Sequence, residues 1–264
     1  MTIHHLNCGT MHPIGGMRMV CHVLLVETDR GLMLVDTGLG VRDVEDPAGR
    51  IGTPLSRVIR PDFSMAETAL AQVSAHGFAA SDVTDIVMTH LDSDHAGGID
   101  DFPGARLHVS AREFANADSE PGRSPAVRYR PWRRTRHPDD VRAYAQTPDD
   151  WFGFAATALD GFGDDIAYVA LPGHTAGHMG VAIRDGERWL LHGGDAFYHR
   201  NVIRGGRVPR SLAIAQFGSA RQPRTARDTR RRLADLHERH ADSIRIVCAH
   251  DSAQLDESAV SDDT

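Results

Sequence analysis

The chain has 264 residues, of which 41% are hydrophobic and 25% charged, as in an ordinary globular protein with a sizeable core. The formal net charge of −7 argues against general nucleic-acid binding. No apolar run approaches the roughly 18 residues of a membrane span, and the first residues lack a secretory pattern. We therefore expect a cytoplasmic protein without a membrane or nucleic-acid partner.

The first third of the chain consists of short apolar runs, turns and one helix. Residues 21–28 and 32–38 predict two strands of a hairpin, because a turn sequence separates them. A helix is predicted over 64–77, since apolar residues recur there at helical spacing and Ser64 and Glu67 fit a capping box.

The middle of the chain alternates between strands and polar segments. Residues 83–90 and 106–110 predict strands, and the second leads into a helix that Ser110 and Glu113 would cap. Residues 116–150 are rich in Pro, Arg, Asp and Ser and have a poor period. We predict that they form an irregular or helical insertion, with a lid over a site as one role.

The last third returns to regular structure. Residues 166–173 and 181–195 predict strand, turn and strand, residues 225–241 an amphipathic helix and residues 244–251 a final strand. Strands that first pair locally and then alternate with helices predict an α/β domain over 1–264, with two sheets covered by helices.

Metal-binding residue types follow four of the predicted strands. "HLDSDH" at 90–95 places two histidines and two aspartates within six residues, and later strands end in "PGHTAGH" (172–178), "HGGDAFYH" (192–199) and "CAHD" (248–251). Each motif alone is weak, because turns often contain Gly and Asp. Together they predict a metal site, since strand ends can converge at one edge and His and Asp bind zinc and neighbouring transition metals.

The ordered set resembles the signature of the metallo-β-lactamase superfamily, His-x-His-x-Asp-His followed by a distant His, an Asp and a His. The resemblance covers essentially the whole chain and implies a four-layer αββα sandwich. The matching positions are His90, Asp92 in place of the second His, Asp94, His95, His174, Asp195 and His250. The early stretch "LVDTG" also resembles a family motif, which implies that Asp36 orients a metal ligand; His178 is a weaker candidate for that role.

Within the superfamily, the chain looks most like the N-acyl-homoserine lactonases, because Tyr198 follows Asp195 by three residues. The resemblance implies two divalent metal ions and a metal-activated hydroxide that attacks a carbonyl carbon. Tyr198 would donate a hydrogen bond to the developing oxyanion, and Asp94 would carry a proton. A packed aromatic side chain is the ordinary alternative for Tyr198. The implied metal groups are His90, Asp92 and His174 for the first ion and Asp94, His95 and His250 for the second, with Asp195 bridging.

The departure from the signature is Asp92, for which three interpretations compete. Asp92 binds the first metal through oxygen, is too short to reach it, or lies beside it with water between. Zinc is the expected metal, with iron or manganese as alternatives, because oxygen donors favour harder ions. In the related flavodiiron proteins a glutamate stands at this position and iron is the metal.

These residues predict a metal-dependent hydrolase that opens a lactone, with a small-molecule ester or lactone as its partner; a homodimer is compatible with this. The alternatives are a thioesterase of the glyoxalase II type, another ester hydrolase of the same fold and, more distantly, a di-iron redox protein or a metal-poor binding protein.

Two further stretches are open to a functional interpretation. Met11, Met17 and Met19 could contact an apolar substrate, although methionines in loops are more often filler. The arginine-rich stretch that begins at Arg128 could attract an anion, but a solvated loop balanced by aspartates is the favoured interpretation.

Overall fold

The computed structural model describes residues 1–119, 128–129, 132, 140–147 and 149–262, which contain two six-stranded sheets. In spatial order, the first sheet contains β1 (Thr2–Met11), β2 (Met19–Thr28), β3 (Gly31–Val35), β4 (Val83–Val87), β5 (Arg106–Ser110) and β6 (Val141–Tyr144). The second contains β12 (Ile244–Val247), β11 (Arg188–His192), β10 (Met179–Asp185), β9 (Ile166–Ala170), β8 (Phe154–Ala158) and β7 (Asp149–Trp151).

Short helices follow many of the strands. The α-helices of the described residues are α1 (Val41–Glu45), α2 (Pro47–Arg50), α3 (Thr53–Ile59), α4 (Ala69–Ala75), α5 (Ser93–Ala96), α6 (Ala111–Ser119), α7 (Asn201–Arg204), α8 (Arg210–Ser219), α9 (Pro223–His240) and α10 (Ser252–Asp262). None of the helices in these residues is long and apolar enough to cross a membrane.

Alternate side chains of a strand enter different layers of the core. In β2, Val23 and Leu25 pack in the core beneath the helices of the first sheet, whereas Leu24 and Val26 pack in the core shared by the two sheets. On the far side, Leu233 of α9 packs on the second sheet. Both faces of each sheet are therefore covered, which is the predicted four-layer αββα sandwich.

The predicted hairpin is confirmed, with β2 and β3 antiparallel and joined at Thr28 and Gly31. The helix predicted over 64–77 is shorter, because its N-cap is Thr68, whose hydroxyl accepts from the Ala71 N–H. The capping box at Ser64 and Glu67 is wrong: Ser64 makes no side-chain cap.

The segment 116–150, predicted as an irregular or helical insertion, begins as helix, where α6 continues to Ser119, and also contains a strand that was not predicted. Val141–Tyr144 forms β6 and extends the first sheet beside β5. Between Ser119, where α6 ends, and Val141, where β6 begins, the structure describes residues 128–129, 132 and 140. Tyr129 and Trp132 are buried in the core of the first sheet, so these two aromatic residues attach the segment to the domain; the lid stays a prediction.

Candidate metal centre

The predicted ligands lie at the C-terminal ends of strands from both sheets. β3 and β4 run parallel in the first sheet, and β11 and β12 run parallel in the second. The chain leaves β4 into the His90–His95 stretch, β9 into His174, β11 into Asp195 and β12 into His250. One edge of the sandwich thus carries all four motifs.

Two adjacent groups at this edge have the donor atoms of metal sites. In each group the potential ligand atoms lie within 4.8 Å of one another. The first group is His90, Asp92, His174 and Asp195, and the second is Asp94, His95 and His250. All seven residues identified from the sequence are therefore brought together, in the two sets that the resemblance implies.

Asp195 lies between the two groups and presents one carboxylate oxygen to each. Its Oδ2 lies 3.3 Å from His174 Nε2 and 3.9 Å from His90 Nε2. Its Oδ1 lies 3.0 Å from His250 Nε2 and 3.2 Å from His95 Nε2. A carboxylate in this position can bind two cations at once.

Several buried polar atoms at the centre lack hydrogen-bond partners among the described residues. These atoms are Nε2 of His90, Nε2 of His95, Oδ1 of Asp195 and Oδ1 of Asp92. The two carboxylate oxygens have charged or ring nitrogens nearby, His250 Nε2 at 3.0 Å and Arg128 Nε at 3.2 Å, but in neither case does the geometry make a hydrogen bond. A buried donor or acceptor without a partner costs about 1–3 kcal/mol, so such atoms are rare without a compensating ligand. Divalent cations would satisfy the two histidine nitrogens and the Asp195 oxygen, and the donor set fits such cations.

Asp92 reaches the first group with one of its two carboxylate oxygens. Oδ2 lies 2.9 Å from His174 Nε2 and 3.4 Å from His90 Nε2, whereas Oδ1 lies 3.2 Å from Arg128 Nε. The side chain is therefore long enough to share a ligand position with these histidines. Burial alone would raise the pKa of the Asp92 carboxyl, but Arg128, His90 and His174 together hold it well below the usual value.

Asp36 is the hydrogen-bond partner of His95. Its Oδ2 accepts from His95 Nδ1 at 2.8 Å, and its Oδ1 accepts from the Thr89 N–H at 2.7 Å. Asp36 has φ of +60°, a left-handed conformation that aspartate tolerates better than most residues. The bond fixes the imidazole with Nε2 toward Asp195, which supports the orienting role predicted for Asp36.

His178 and His250 are also held through their second ring nitrogens. His250 Nδ1 donates to the Val20 carbonyl at 2.8 Å. His178 Nδ1 donates to the Leu171 carbonyl at 3.0 Å, and its Nε2 accepts from the Asp195 N–H at 2.9 Å. His178 therefore positions the backbone of Asp195 and makes no hydrogen bond to a histidine of the two groups, unlike the role considered for it from the sequence.

The histidines also hold Asp195 as a carboxylate. Burial would raise the pKa of Asp195, but His250, His95 and His174 together lower it well below the usual value. The negative charge at the centre is therefore preserved in the fold.

Glu113 links the two loops of the first group, a role that the sequence analysis missed. It is fully buried, and its Oε1 accepts from the Leu91 N–H at 3.2 Å while its Oε2 accepts from the Thr175 hydroxyl at 2.6 Å. Tyr129 donates to the same Oε1 at 3.2 Å. One half of the predicted capping box is present, since Ser110 Oγ accepts from the Glu113 N–H at 3.1 Å, whereas the Glu113 carboxylate accepts from Leu91 and Thr175.

Arg128 was predicted to be part of a solvated loop, but its side chain is largely buried. Its side chain is only 13% exposed and faces Asp92. Its Nη1 donates to the His174 carbonyl at 3.2 Å and its Nη2 to the Ser219 carbonyl at 2.6 Å. The later arginines of that stretch, at 130, 133, 134 and 136, lie outside the described residues.

A cavity of about 580 Å³ opens onto the centre. Its polar end includes Asp92, Asp94, His174, Asp195 and His250. Its remaining wall is largely apolar and contains Met11, Pro13, Met19, Leu55, Val58, Ile59 and Ala215. Two of the three methionines considered as substrate contacts thus line the cavity, while Met17 packs against the core.

Tyr198 lies in the same cavity, beside the second group. Its hydroxyl lies 2.9 Å from Ser219 Oγ, and its ring stands at 86° to the His250 ring with centroids 4.9 Å apart. Burial, reinforced by Asp195, raises the pKa of the Tyr198 phenol well above its usual value. The phenol therefore keeps its proton and can donate it in a hydrogen bond.

Comparisons with known proteins agree with this fold. A sequence profile of the metallo-beta-lactamase superfamily matches residues 16–236. A "probable metallo-hydrolase" of Mycobacterium tuberculosis is 47% identical over 251 residues, which cover 94% of this chain and 80% of the relative. An N-acyl homoserine lactonase of Azorhizobium caulinodans is 36% identical over 93 residues, or 35% of each chain.

Solved structures share the whole architecture. An N-acyl homoserine lactone hydrolase with the product N-hexanoyl-L-homoserine bound at its catalytic metal center has a TM-score of 0.71 at 19% identity over 97% of both chains. A mutant of Bacillus thuringiensis AiiA with N-decanoyl-L-homoserine bound at the active site also has a TM-score of 0.71, at 18% identity over 97% of both chains. The profile match over residues 16–236 and the 47% identity to the mycobacterial relative show that the chain belongs to the metallo-β-lactamase superfamily. Within it, the protein is a metallo-hydrolase whose fold implies divalent metal binding.

Proposed function

We propose that the protein hydrolyses a lactone of the N-acyl-homoserine type. The observation that carries this proposal is the junction of a largely apolar cavity with Tyr198 and the two metal-binding groups. An acylated lactone has the matching parts, a small polar ring and an apolar arm. The partial identity to lactonases and the shared fold support the same substrate class.

The two groups would hold one divalent cation each, with Asp195 shared between them. Bound there, the cations would lower the pKa of water toward neutrality and polarise a carbonyl oxygen. We propose zinc, because histidine and aspartate are its usual ligands, and keep iron and manganese as alternatives because Asp92 adds an oxygen donor.

Tyr198 would stabilise the carbonyl oxygen as it gains negative charge. Its raised pKa keeps the phenol protonated, and Ser219 Oγ at 2.9 Å restrains the hydroxyl beside the centre. A hydrogen bond that strengthens as charge develops lowers the barrier more than it stabilises the bound substrate.

Asp94 would carry the proton. Its side chain is 18% exposed, more than the carboxylates of Asp92 and Asp195, and it lines the cavity 3.6 Å from His250 Nε2. It would take a proton from the attacking water and deliver it to the ring oxygen as the C–O bond breaks. The product is then a hydroxy acid, in which the hydroxide of the water is bonded to the acyl carbon and its proton to the former ring oxygen.

The apolar wall would bind the acyl arm of the substrate. Its residues come from the end of β1, the start of β2 and the connection between them, from α3 and from α8, and Val58 is 51% exposed at the cavity. Burial of a methylene group on such a wall contributes about 0.8 kcal/mol. Affinity should therefore rise with acyl length until the arm leaves the cavity.

A panel of lactones and thioesters tests the proposal with the metal-loaded protein. Lactone opening releases acid, so a pH indicator follows each reaction without a modified substrate. The proposal predicts turnover of N-acyl lactones and little or none of thioesters. Turnover of glutathione thioesters without lactone turnover would reject it in favour of a glyoxalase II type activity.

A further inference from the structure

Asp92 and Arg128 form a buried pair across the first metal-binding group. Arg128 Nε lies 3.2 Å from Asp92 Oδ1, and their side chains are only 13% and 11% exposed. The other carboxylate oxygen, Oδ2, faces His174 and His90. The guanidinium thus occupies one side of the carboxylate and leaves the other side for the metal position.

Arg128 is engaged by protein on all three of its nitrogen atoms. Besides Asp92, it meets the carbonyl oxygens of His174 and Ser219. Because all three nitrogen atoms already contact protein, Arg128 is better suited to hold Asp92 in place than to bind a substrate anion. Binding of an anion is the functional alternative that the sequence suggested for this stretch. It also ties the guanidinium to the loop that carries His174.

The charges explain why such a pair is needed. The superfamily signature has a neutral histidine where this chain has a carboxylate, so position 92 brings one additional negative charge to a buried site. An unpaired buried charge costs several kcal/mol, and a fixed guanidinium offsets it. Among the described residues that line the cavity, Arg128 is the sole arginine.

We propose that Asp92 and Arg128 act as one unit that replaces the neutral histidine of the signature. Arg128 is the positioning residue: it neutralises the carboxylate and restrains Oδ1, so that Oδ2 stays directed toward His90 and His174. Consequently, a histidine at 92 is incompatible with Arg128, because the guanidinium would then face a cation without its counter-charge. The proposal rests on the proposed metal binding and is independent of the substrate.

The test is a double-mutant cycle read out as zinc affinity, with no substrate present. Metal-free wild type, D92H, R128M and D92H/R128M are titrated with zinc against a chromogenic chelator. Exposed Arg142, which pairs with Asp140, supplies the control R142M. Circular dichroism before zinc addition establishes that each variant is folded.

We expect D92H to lose about tenfold or more in affinity at one of its two sites, because Arg128 remains buried beside the cation. D92H/R128M should recover to within about threefold of wild type, although it lacks the carbonyl contacts of Arg128. R128M alone should lose about fivefold or more in affinity, because Asp92 Oδ1 is then no longer restrained and Oδ2 is no longer held toward His90 and His174. R142M should match wild type.

The proposal that Asp92 and Arg128 act as one unit would be overturned if D92H bound zinc as tightly as wild type. It would also be overturned if the zinc affinity of D92H/R128M were no higher than that of D92H. These results leave lactone turnover by the wild type untouched, so they are distinguishable from failure of the proposed substrate. Wild type that binds no zinc, iron or manganese would overturn both proposals together.

Discussion

Asp195 Oδ1 lies 3.0 Å from His250 Nε2, across the middle of the centre. The other oxygen of the same carboxylate faces the first group, so one side chain joins both. Loss of its charge should therefore affect two metal positions rather than one. This relationship makes Asp195 the most informative single residue of the centre.

Asp195→Asn should reduce the bound metal from two ions per chain to fewer than one. The amide keeps the shape but removes the negative charge that faces both groups. Inductively coupled plasma mass spectrometry on protein loaded with excess zinc and desalted gives the stoichiometry. The exposed Asp185→Asn is the matched control and should retain two ions. Full stoichiometry in Asp195→Asn would remove the bridging role.

Tyr198→Phe should lower kcat for lactones about a hundredfold and leave metal content unchanged, because it removes the proposed oxyanion donor and no proposed metal ligand. Tyr144→Phe is a suitable control, since that phenol bonds His108 away from the cavity. Steady-state kinetics with one lactone, together with metal analysis, separates the two effects. An unchanged kcat would assign Tyr198 to packing alone.

Glu113→Leu should destabilise the protein by about 2–4 kcal/mol and weaken zinc binding, because it leaves the Leu91 N–H and the Thr175 hydroxyl buried without an acceptor. Glu113→Gln should retain more of both properties than Glu113→Leu, since its carbonyl still accepts from the Leu91 N–H and its amide can donate to the Thr175 hydroxyl oxygen, although the Thr175 proton loses its acceptor. Urea unfolding and zinc titration of the two variants measure this. Equal losses in both would mean that the carboxylate charge, rather than the bridge, is required.

Val58→Ser should raise KM for N-decanoyl lactones more than for N-butanoyl lactones, because the half-exposed valine side chain lies on the apolar wall and a longer acyl arm would cover more of that wall. Ile14→Ser, at a residue 73% exposed and outside the cavity lining, should change neither. A parallel KM increase for both chain lengths would place the acyl arm elsewhere.

Asp101→Asn should stabilise the protein at pH 8 and have a smaller effect at pH 5. Burial raises the pKa of Asp101 to about 6, although the Val41 N–H opposes the shift. The folded state therefore holds a proton that the unfolded state releases between about pH 4 and 6, and stability falls as pH rises through that window. Urea unfolding of the chelator-treated protein at both pH values tests this; an equal gain at both would point to a cause other than ionisation.

Much of the centre follows from motif order in the sequence. Strand ends collect at one edge of a layered sandwich, so His90, His174 and His250 could be assigned to one site although 160 positions separate the first from the last. Their number and spacing say nothing of what surrounds them, however. The residues that surround the histidines are placed there by contacts between distant parts of the chain, which a local sequence pattern does not predict.

Arg128 and Glu113 illustrate the limit. Arg128 lies 36 positions after Asp92 in a stretch without period, and its burial depends on carbonyl groups contributed by other loops. Glu113 has the spacing of a helix cap, and only the fold shows that its carboxylate turns to Leu91 and Thr175. β6 escaped prediction because Val141–Tyr144 is a short edge strand that lacks any buried side chain.

The central claim is that these residues form a two-metal centre, and metal stoichiometry tests it most directly. Wild-type protein is stripped with a chelator, incubated separately with excess zinc, iron(II) or manganese, desalted and analysed for metal per chain. We predict close to two ions per chain for the preferred metal. A stoichiometry near zero with all three, in protein whose circular dichroism shows it to be folded, would contradict the account.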